Sequence, residues 1–364
     1  MRARLPLLIV AQSGRFIAQS ATRAGYPVRV ADCFGDMDML NVAERWQPLP
    51  ALHELSPQFF LNTLEQLSDG EPCLLVCGTG VESFYPVLAQ LPPHITLLGN
   101  SPETIARLRQ PTSFFALLDK LGLPYPPTFR QPPALLNCLV KDLQSAGGSH
   151  IHPPDGHDLS ETQFYQQLID GQSRSLCFIA DGKEARILGW NRQLNRAGEF
   201  YLQQIRQPDL PDVSHQQTLQ TAVLKLVAAT GLKGFNSLDF IVDKSGHLYL
   251  LELNPRITAS VELLAQTDWF RWHITACNGH LAVPKPGIDG PLRLLYYQFA
   301  DSDLTISSRA VWPDECHDLP GPGSHIRADM PVCTFIVEAE SVQQCEARLQ
   351  QVKNAALKNC LPRA

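Results

Sequence analysis

Two runs of β-forming residues separated by a short turn constrain this chain more than any other feature. Residues 238–243 read LDFIVD and residues 247–256 read HLYLLELNPR, with a glycine-containing turn between them. Such a pattern predicts an antiparallel β-hairpin. A four-residue turn would pair Asp243 with Leu248, and that pair sets the register of the whole hairpin.

In this register, three oxygen-bearing side chains share one face. Counting back from the turn places Asp239 directly opposite Glu252, with Asn254 one pleat further along the same face. Facing carboxylates have Cβ atoms about 5 Å apart and repel each other, so we expect a cation between them. Two carboxylates and an amide suit Mg²⁺ that is completed by water and phosphates. Pro255 ends the ladder and leaves Arg256 beside the metal, where it can clamp an anion.

The simpler interpretation is a solvated hairpin whose outer face merely carries acids. We favour the metal site because the acids, the amide and the arginine fall together. The other face takes only apolar residues, which are Phe240, Val242, Leu251 and Leu253.

These residues resemble a known family. The run from Asp239 to Ile241, followed by residues 251–256 (LELNPR), resembles the metal-binding end of an ATP-grasp enzyme. The resemblance implies ATP and Mg²⁺ as cofactors, with Mn²⁺ as a substitute metal. It also implies a mixed α/β and α+β fold with three parts: a doubly wound pre-ATP-grasp domain, a two-lobed ATP-grasp domain and a small β/α closing module.

Composition is compatible with that fold. A chain of 364 residues fits two or three linked units, and we expect them at 1–100, 101–285 and 286–364, with the ATP-grasp hinge near 167–171. A net charge of −6 argues against nucleic acid as the main partner. No apolar run approaches the length of a bilayer span, so we expect no membrane partner and a cytoplasmic protein. The ten cysteines form no Cys-x-x-Cys pair, so reduced thiols are expected.

The first hundred residues alternate buried strands with helices. Strands are predicted at 7–10, 28–31, 73–77 and 95–98, which indicates a small doubly wound sheet. The first turn carries only Gly14, where a dinucleotide fingerprint needs three glycines, so NAD binding is a weak alternative. The run from Gly78 to Gly80 could bind an anion or form a simple turn, and the sequence favours neither.

The entry to the ATP-grasp region departs from the family pattern. Ser101 is a plausible N-cap, and a second helix is predicted from Ser113 to Gly122. Many relatives place a nucleotide-contacting lysine where Pro111 stands here. Arg107 and Arg109 are the candidates to replace it.

A strand-end lysine beside a glycine loop is suited to nucleotide phosphates. Lys141 ends a short predicted strand, and Gly147 and Gly148 follow in a loop. A point charge and close backbone N–H groups are what phosphates need. The order differs from the P-loop and resembles the ATP-grasp pattern, except that Asp142 stands for a usual proline and His150 for a usual glycine.

Three histidines crowd the next loop. His150, His152 and His157 lie among prolines and glycine, which give no fixed ligand geometry. We expect a polar lid, with Zn²⁺ binding as the minor alternative.

The hinge and an adjacent hairpin supply the remaining nucleotide candidates. By resemblance, the backbone near Gln167, Leu168 and Ile169 would contact adenine, and Asp170 would accept from the ribose hydroxyls. A strand end followed by a turn explains Asp170 equally well. Gln193, just after a predicted hairpin, is expected to face the nucleotide.

The implied activity is carboxylate–amine ligation with catalytic roles for Lys141 and Arg256. The resemblance is closest to the carbamoyl-phosphate-synthase-like and biotin-carboxylase-like group, which includes tyramine–glutamate ligases. A biotin-carboxylase-like component and a nucleotide-binding regulatory protein without turnover are the alternatives. We expect small-molecule carboxylate and amine substrates, and a homodimer is the assembly to test.

Overall fold

The computed structural model describes residues 4–131, 133, 137–142, 147–148, 151–264, 268–283 and 290–362. The helices are α1 Arg15–Arg23, α2 Met37–Leu40, α3 Pro57–Ser68, α4 Pro102–Arg109, α5 Pro111–Leu121, α6 Val213–Thr230, α7 Trp269–Cys277 and α8 Val342–Ala356. Short 3₁₀ helices span Leu52–Glu54, Glu82–Gln90, Ala259–Leu263 and Leu357–Asn359.

Nineteen strands complete the described architecture. They are β1 Leu7–Val10, β2 Val28–Asp32, β3 Arg45–Pro48, β4 Cys73–Cys77, β5 Ile95–Leu97, β6 Thr128–Phe129, β7 Cys138–Asp142, β8 Gln163–Gln167, β9 Gly171–Asp181, β10 Ala185–Asn195, β11 Leu202–Gln207, β12 Lys233–Asp243, β13 Leu248–Asn254, β14 Leu292–Phe299, β15 Leu304–Ile306, β16 Cys316–His317, β17 His325–Ile326, β18 Pro331–Ala339 and β19 Cys360–Pro362.

The N-terminal part is a five-stranded parallel sheet in the order β3-β2-β1-β4-β5. Both of its faces are covered, as parallel strands require. Leu8 and Val10 face a core that includes Phe60 of α3. Leu7 and Ile9 face a different core that also contains Phe235 of β12 and Trp269 of α7. The first sheet therefore shares a hydrophobic core with β12, the strand that carries Asp239.

The central element is an eight-stranded sheet in the order β13-β12-β9-β10-β11-β14-β18-β16. Helices α5 and α6 bury one face of it, with Phe178, Leu238 and Phe240 among the fully buried residues. Strand β14 pairs antiparallel with β11, so the sheet continues into the C-terminal part of the chain. Two three-stranded sheets, β6-β8-β7 and β17-β15-β19, complete the fold.

The hairpin of β12 and β13 has the predicted pair but not the predicted turn. Val242, rather than Asp243, pairs with Leu248, because the turn is longer than four residues. The register then shifts beside Phe240, so that Leu251 is an extra residue in β13. This bulge compensates for the longer turn and brings Asp239 opposite Glu252. The predicted inward position of Leu251 is wrong, because the bulge places Leu250 in the core instead.

Residues 82–90 form a 3₁₀ helix and not an α-helix. Pro86 lies inside this segment and lacks the N–H that an α-helical hydrogen bond needs. In the part of the chain that the structure describes, no helix has the length and apolar character required to cross a membrane.

Candidate active site

Asp239 and Glu252 lie directly across the β12–β13 ladder. Burial, followed by the nearby charge of Glu252, raises the pKa of Asp239 to about 7. The Gln193 amide lies 3.5 Å from one oxygen of Asp239, and the Ser237 hydroxyl donates to the other at 3.3 Å. Asp239 therefore faces a second carboxylate in a place where burial disfavours its ionised form.

Gln193 of β10 faces Asp239. Its carbonyl oxygen accepts a hydrogen bond of 3.1 Å from the Ser173 hydroxyl. This contact directs the amide nitrogen of Gln193 toward Asp239. Strand β10 thus contributes a donor to the edge of the acidic pair.

Lys141 points into the same region from the small sheet. The Lys141 side chain is buried, and its ammonium donates to the side-chain oxygen Oε1 of Gln166 at 3.2 Å. Burial lowers the pKa of Lys141, while the charges of Glu252 and Asp239 act in the opposite direction. Gln166 was not predicted as a site residue, because a glutamine inside a strand has no distinguishing pattern.

Arg256 is held by groups from two parts of the chain. Its Nε donates to Glu82 at 2.6 Å, and one terminal nitrogen donates to the Thr79 hydroxyl at 2.9 Å. The other terminal nitrogen donates to Asn254 Oδ1 at 3.2 Å. Arg256 and Glu82 are both buried.

The sequence did not identify Glu82 as a partner of Arg256. The available signal was an acidic residue immediately after the turn from Gly78 to Gly80, at the start of an apolar segment. A buried acid needs a partner, but the sequence cannot say which one.

A second arginine reaches the acidic pair from α4. Arg109 Nη1 lies 2.6 Å from Glu252 Oε1, and the Arg109 side chain is buried. Arg107, the other candidate to replace the missing lysine, is exposed and donates to the Ala229 carbonyl at 3.4 Å. The two arginines proposed as replacements for a lysine at Pro111 therefore have different environments.

The two loop glycines pack against the connection between β10 and β11. Leu202 donates its backbone N–H to the Gly147 carbonyl at 3.1 Å. Gly148 has a φ of +82°, and a Cβ there would lie 1.9 Å from the Phe200 carbonyl oxygen. Only glycine fits this close approach to the β10–β11 connection.

The hinge residues lie at the other end of the hairpin. Leu168 donates its backbone N–H to the Asn137 carbonyl, and Gly171 pairs with Asp243. Asp170 is exposed and forms an ion pair with Lys244 of the hairpin turn. Asp243 lies four positions after Asp239 in β12, about 13 Å along the strand.

The remaining two predicted hinge residues are also placed at this end. Gln167 donates its backbone N–H to the Pro127 carbonyl at 2.9 Å, and Ile169 is partly buried. The hinge residues therefore lie apart from the acidic pair, near the turn end of the β12–β13 hairpin.

The histidine loop does not assemble a site among the described residues. His150 lies outside them. His152 forms a backbone bridge with Val140, and its ring contacts the Pro153 carbonyl. His157 is exposed. Within the described ranges, no three His, Cys, Asp or Glu side chains converge to hold a metal ion.

The donor set at the hairpin nevertheless fits Mg²⁺. Two facing carboxylates and the Asn254 carbonyl oxygen are hard ligands, and too few to complete an octahedron. Burial first, and the charge of Glu252 second, raise the pKa of Asp239, and a bound divalent cation would favour its ionised form. A metal here needs further oxygens, such as water and phosphate.

Comparison with known proteins agrees with this fold. A family model described as an ATP-grasp domain matches residues 113–260. The arginine-specific carbamoyl phosphate synthase large chain of Bacillus subtilis is 24% identical over 197 residues, which cover 47% of this chain and 19% of that one. This chain spans only about a fifth of the length of such relatives.

Two solved structures match nearly the whole chain. Biotin carboxylase from Campylobacter jejuni, a complex with β,γ-ATP, has a TM-score of 0.76 at 15% identity and covers 98% of this chain and 92% of that one. L-amino acid ligase from Bacillus licheniformis has a TM-score of 0.71 at 16% identity and covers 100% of both chains. Residues 113–260 of the chain therefore match an ATP-grasp domain, and the chain as a whole shares the fold of these solved structures.

Proposed function

We propose that this protein is an ATP-dependent ligase that activates a carboxylate as an acyl phosphate and joins it to an amine. The observation that carries the proposal is the facing pair of Asp239 and Glu252, with the cationic side chains of Lys141, Arg109 and Arg256 around it. Acids flanked by cations are complementary to a metal–polyphosphate complex, in which both charges occur together.

The nucleotide would extend along the hairpin. Lys141 would hold the α and β phosphates, and the backbone near Leu168 and Ile169 would contact adenine at the hinge. Gln167 would support that contact, and Asp170 would accept from the ribose if it leaves Lys244. This orientation is supported by the separation of hinge and acidic pair along β12.

Mg²⁺ held by Asp239, Glu252 and Asn254 would neutralise the charge on the β and γ phosphates. Gln193 would keep Asp239 oriented through the amide that already faces it. These residues would position the phosphates and neutralise their charge, and phosphoryl transfer requires little more of a protein.

Two displacements would complete the reaction. A carboxylate oxygen of the donor attacks the γ-phosphorus, and the bond to the β,γ-bridging oxygen breaks to release ADP. The amine nitrogen then attacks the acyl carbon, phosphate leaves, and the nitrogen loses a proton. Arg256 would stabilise the negative charge that develops on the transferred group.

The glycine loop would keep water away from the acyl phosphate. The contacts of Gly147 with Leu202 and of Gly148 with Phe200 support this role. Excluding water protects an activated acyl group from hydrolysis.

An amino-acid donor and a small amine acceptor are the narrower proposal. An amino-acid donor is supported by the match over the full length of this chain to a protein described as an L-amino acid ligase. The alternative is a biotin-carboxylase-like reaction, which is supported by the fold of the Campylobacter protein.

Phosphate release from ATP, measured with panels of carboxylates and amines, tests the proposal. We expect release that requires both substrates and a product mass equal to their sum minus water. Glu252→Gln should abolish turnover and leave the fold intact, because it removes a ligand charge and little volume.

The other outcomes identify the alternatives. Strict dependence on bicarbonate would point to the carboxylase. ATP binding without turnover on any substrate pair would point to a regulatory protein. Equal ligation by wild type and Glu252→Gln would refute the assignment of the metal site.

A further inference from the structure

Two of the three predicted metal-ligand side chains contact an arginine. Glu252 Oε1 lies 2.6 Å from Arg109 Nη1, and Asn254 Oδ1 lies 3.2 Å from Arg256. The Arg109 guanidinium thus contacts Glu252, one member of the acidic pair. Arg109 comes from the last residue of α4, far from the hairpin in sequence.

We propose that Arg109 is an exchangeable counter-ion, which pairs with Glu252 in the nucleotide-free protein and transfers to a nucleotide phosphate when the metal takes Glu252. This proposal rests on the proposed function, and it assigns a contact with a nucleotide phosphate to Arg109. Arg109, rather than Arg107, would do the work that a lysine at Pro111 does in relatives.

Burial favours the exchange. Arg109 is only 3% exposed, so a short contact with an anion stabilises its charge. If Mg²⁺ took Glu252, the guanidinium would lose the 2.6 Å contact with that carboxylate. A phosphate that arrives with the metal provides a new partner, and a guanidinium can bind it bidentately.

The surroundings give Arg109 space to move. A cleft of about 400 Å³ adjoins it and is lined by Glu82, Tyr85, Arg109, Gln110 and Ser113, among others. Tyr85 is 2% exposed, and its hydroxyl has no hydrogen-bond partner among the residues that the structure describes. Rotation of the Arg109 side chain therefore needs no displacement of a packed apolar group on that side.

The exchange predicts opposite effects on two affinities. Removing Arg109 frees Glu252 from a competing cation, so a metal ion should bind the nucleotide-free protein more tightly. The same change removes a phosphate contact, so Mg·ATP should bind more weakly. A residue that only supports the fold would shift both affinities in the same direction or neither.

Arg109→Met is the test, with Arg107→Met as the matched control on the same helix. Free Mn²⁺ is titrated by electron paramagnetic resonance without nucleotide, and the Glu252→Gln protein identifies the signal of this site. Mg·ATP binding is measured by calorimetry. We expect Arg109→Met to bind Mn²⁺ several-fold more tightly and Mg·ATP about tenfold more weakly, and Arg107→Met to change neither more than about twofold.

Arg109→Lys covers the case in which the methionine variant does not fold. The lysine keeps a cation beside Glu252, so Mn²⁺ binding should stay near that of wild type while Mg·ATP affinity falls. Unchanged Mn²⁺ affinity in a folded Arg109→Met protein would overturn the proposal, as would tighter Mg·ATP binding. If wild type fails to bind ATP, the proposed function fails as well, whereas failed ligation with normal Mn²⁺ and Mg·ATP shifts overturns the proposed reaction alone.

Discussion

Replacing Asp239 with asparagine should stabilise the ligand-free protein while destroying its metal site. The two acids face each other, and burial raises the pKa of Asp239 to about 7 from a usual 3.8. Holding this carboxylate ionised at pH 8 therefore costs the folded state up to ~4 kcal/mol. Asp239 is not fully buried, so we expect Asp239→Asn to recover about 1–3 kcal/mol.

The sign of the pH dependence follows from the direction of the shift. Between pH 4 and pH 7, folded wild type keeps a proton that the unfolded chain releases, so its stability rises as pH falls through 7. The advantage of Asp239→Asn should therefore be largest above pH 7 and small near pH 4. Mg·ATP should raise the melting temperature of wild type and have little effect on the variant.

The assay is thermal unfolding at pH 8 and pH 5 in the presence of a chelator. Asp243→Asn is the matched control, since it makes the same change in the same hairpin. The backbone N–H of His247 lowers the pKa of Asp243, so this variant should be less stable than wild type at pH 8. A lower melting temperature for Asp239→Asn at pH 8 would refute the electrostatic account of the pair.

Two further substitutions test the loop and the arginine clamp. Gly148→Ala places a methyl group against the Phe200 carbonyl, so we expect more ATP hydrolysis without ligation, whereas Gly147→Ala, with open space at a similar φ, should have less effect. A coupled assay for phosphate and product measures the ratio, and an unchanged ratio in both variants would contradict the covering role of the loop. Glu82→Gln weakens a buried contact of Arg256, so kcat should fall about tenfold with little change in KM for ATP. Steady-state kinetics measures this split, and full activity in Glu82→Gln would show that Arg256 is positioned without Glu82.

The sequence predicted the central pair through local patterns. Alternation of side chains in a strand is enough to place Asp239 and Asn254 on a common face with Glu252 once the register is known. The register itself was predicted with two errors that compensate: a turn that is one residue too short, and a missing bulge at Leu251. Neither feature has a sequence signature as strong as the alternation.

Helix ends were predictable for a similar reason. Ser101 accepts from the backbone of Thr104, and Gly122 adopts the left-handed conformation after α5, as their residue types indicate. Such features depend on neighbours within a few residues, where the chemistry of the side chain decides the outcome.

By itself, then, the sequence determined the hairpin, its acidic face and the strand-end Lys141, because each follows from spacing along one segment. Only the tertiary structure decided which distant charges meet there. Arg109 is 143 residues from Glu252, and Glu82 is 174 residues from Arg256. A buried charge must find an opposite charge, but packing of the first sheet and α4 against the hairpin selects the partner, and no local pattern records that packing.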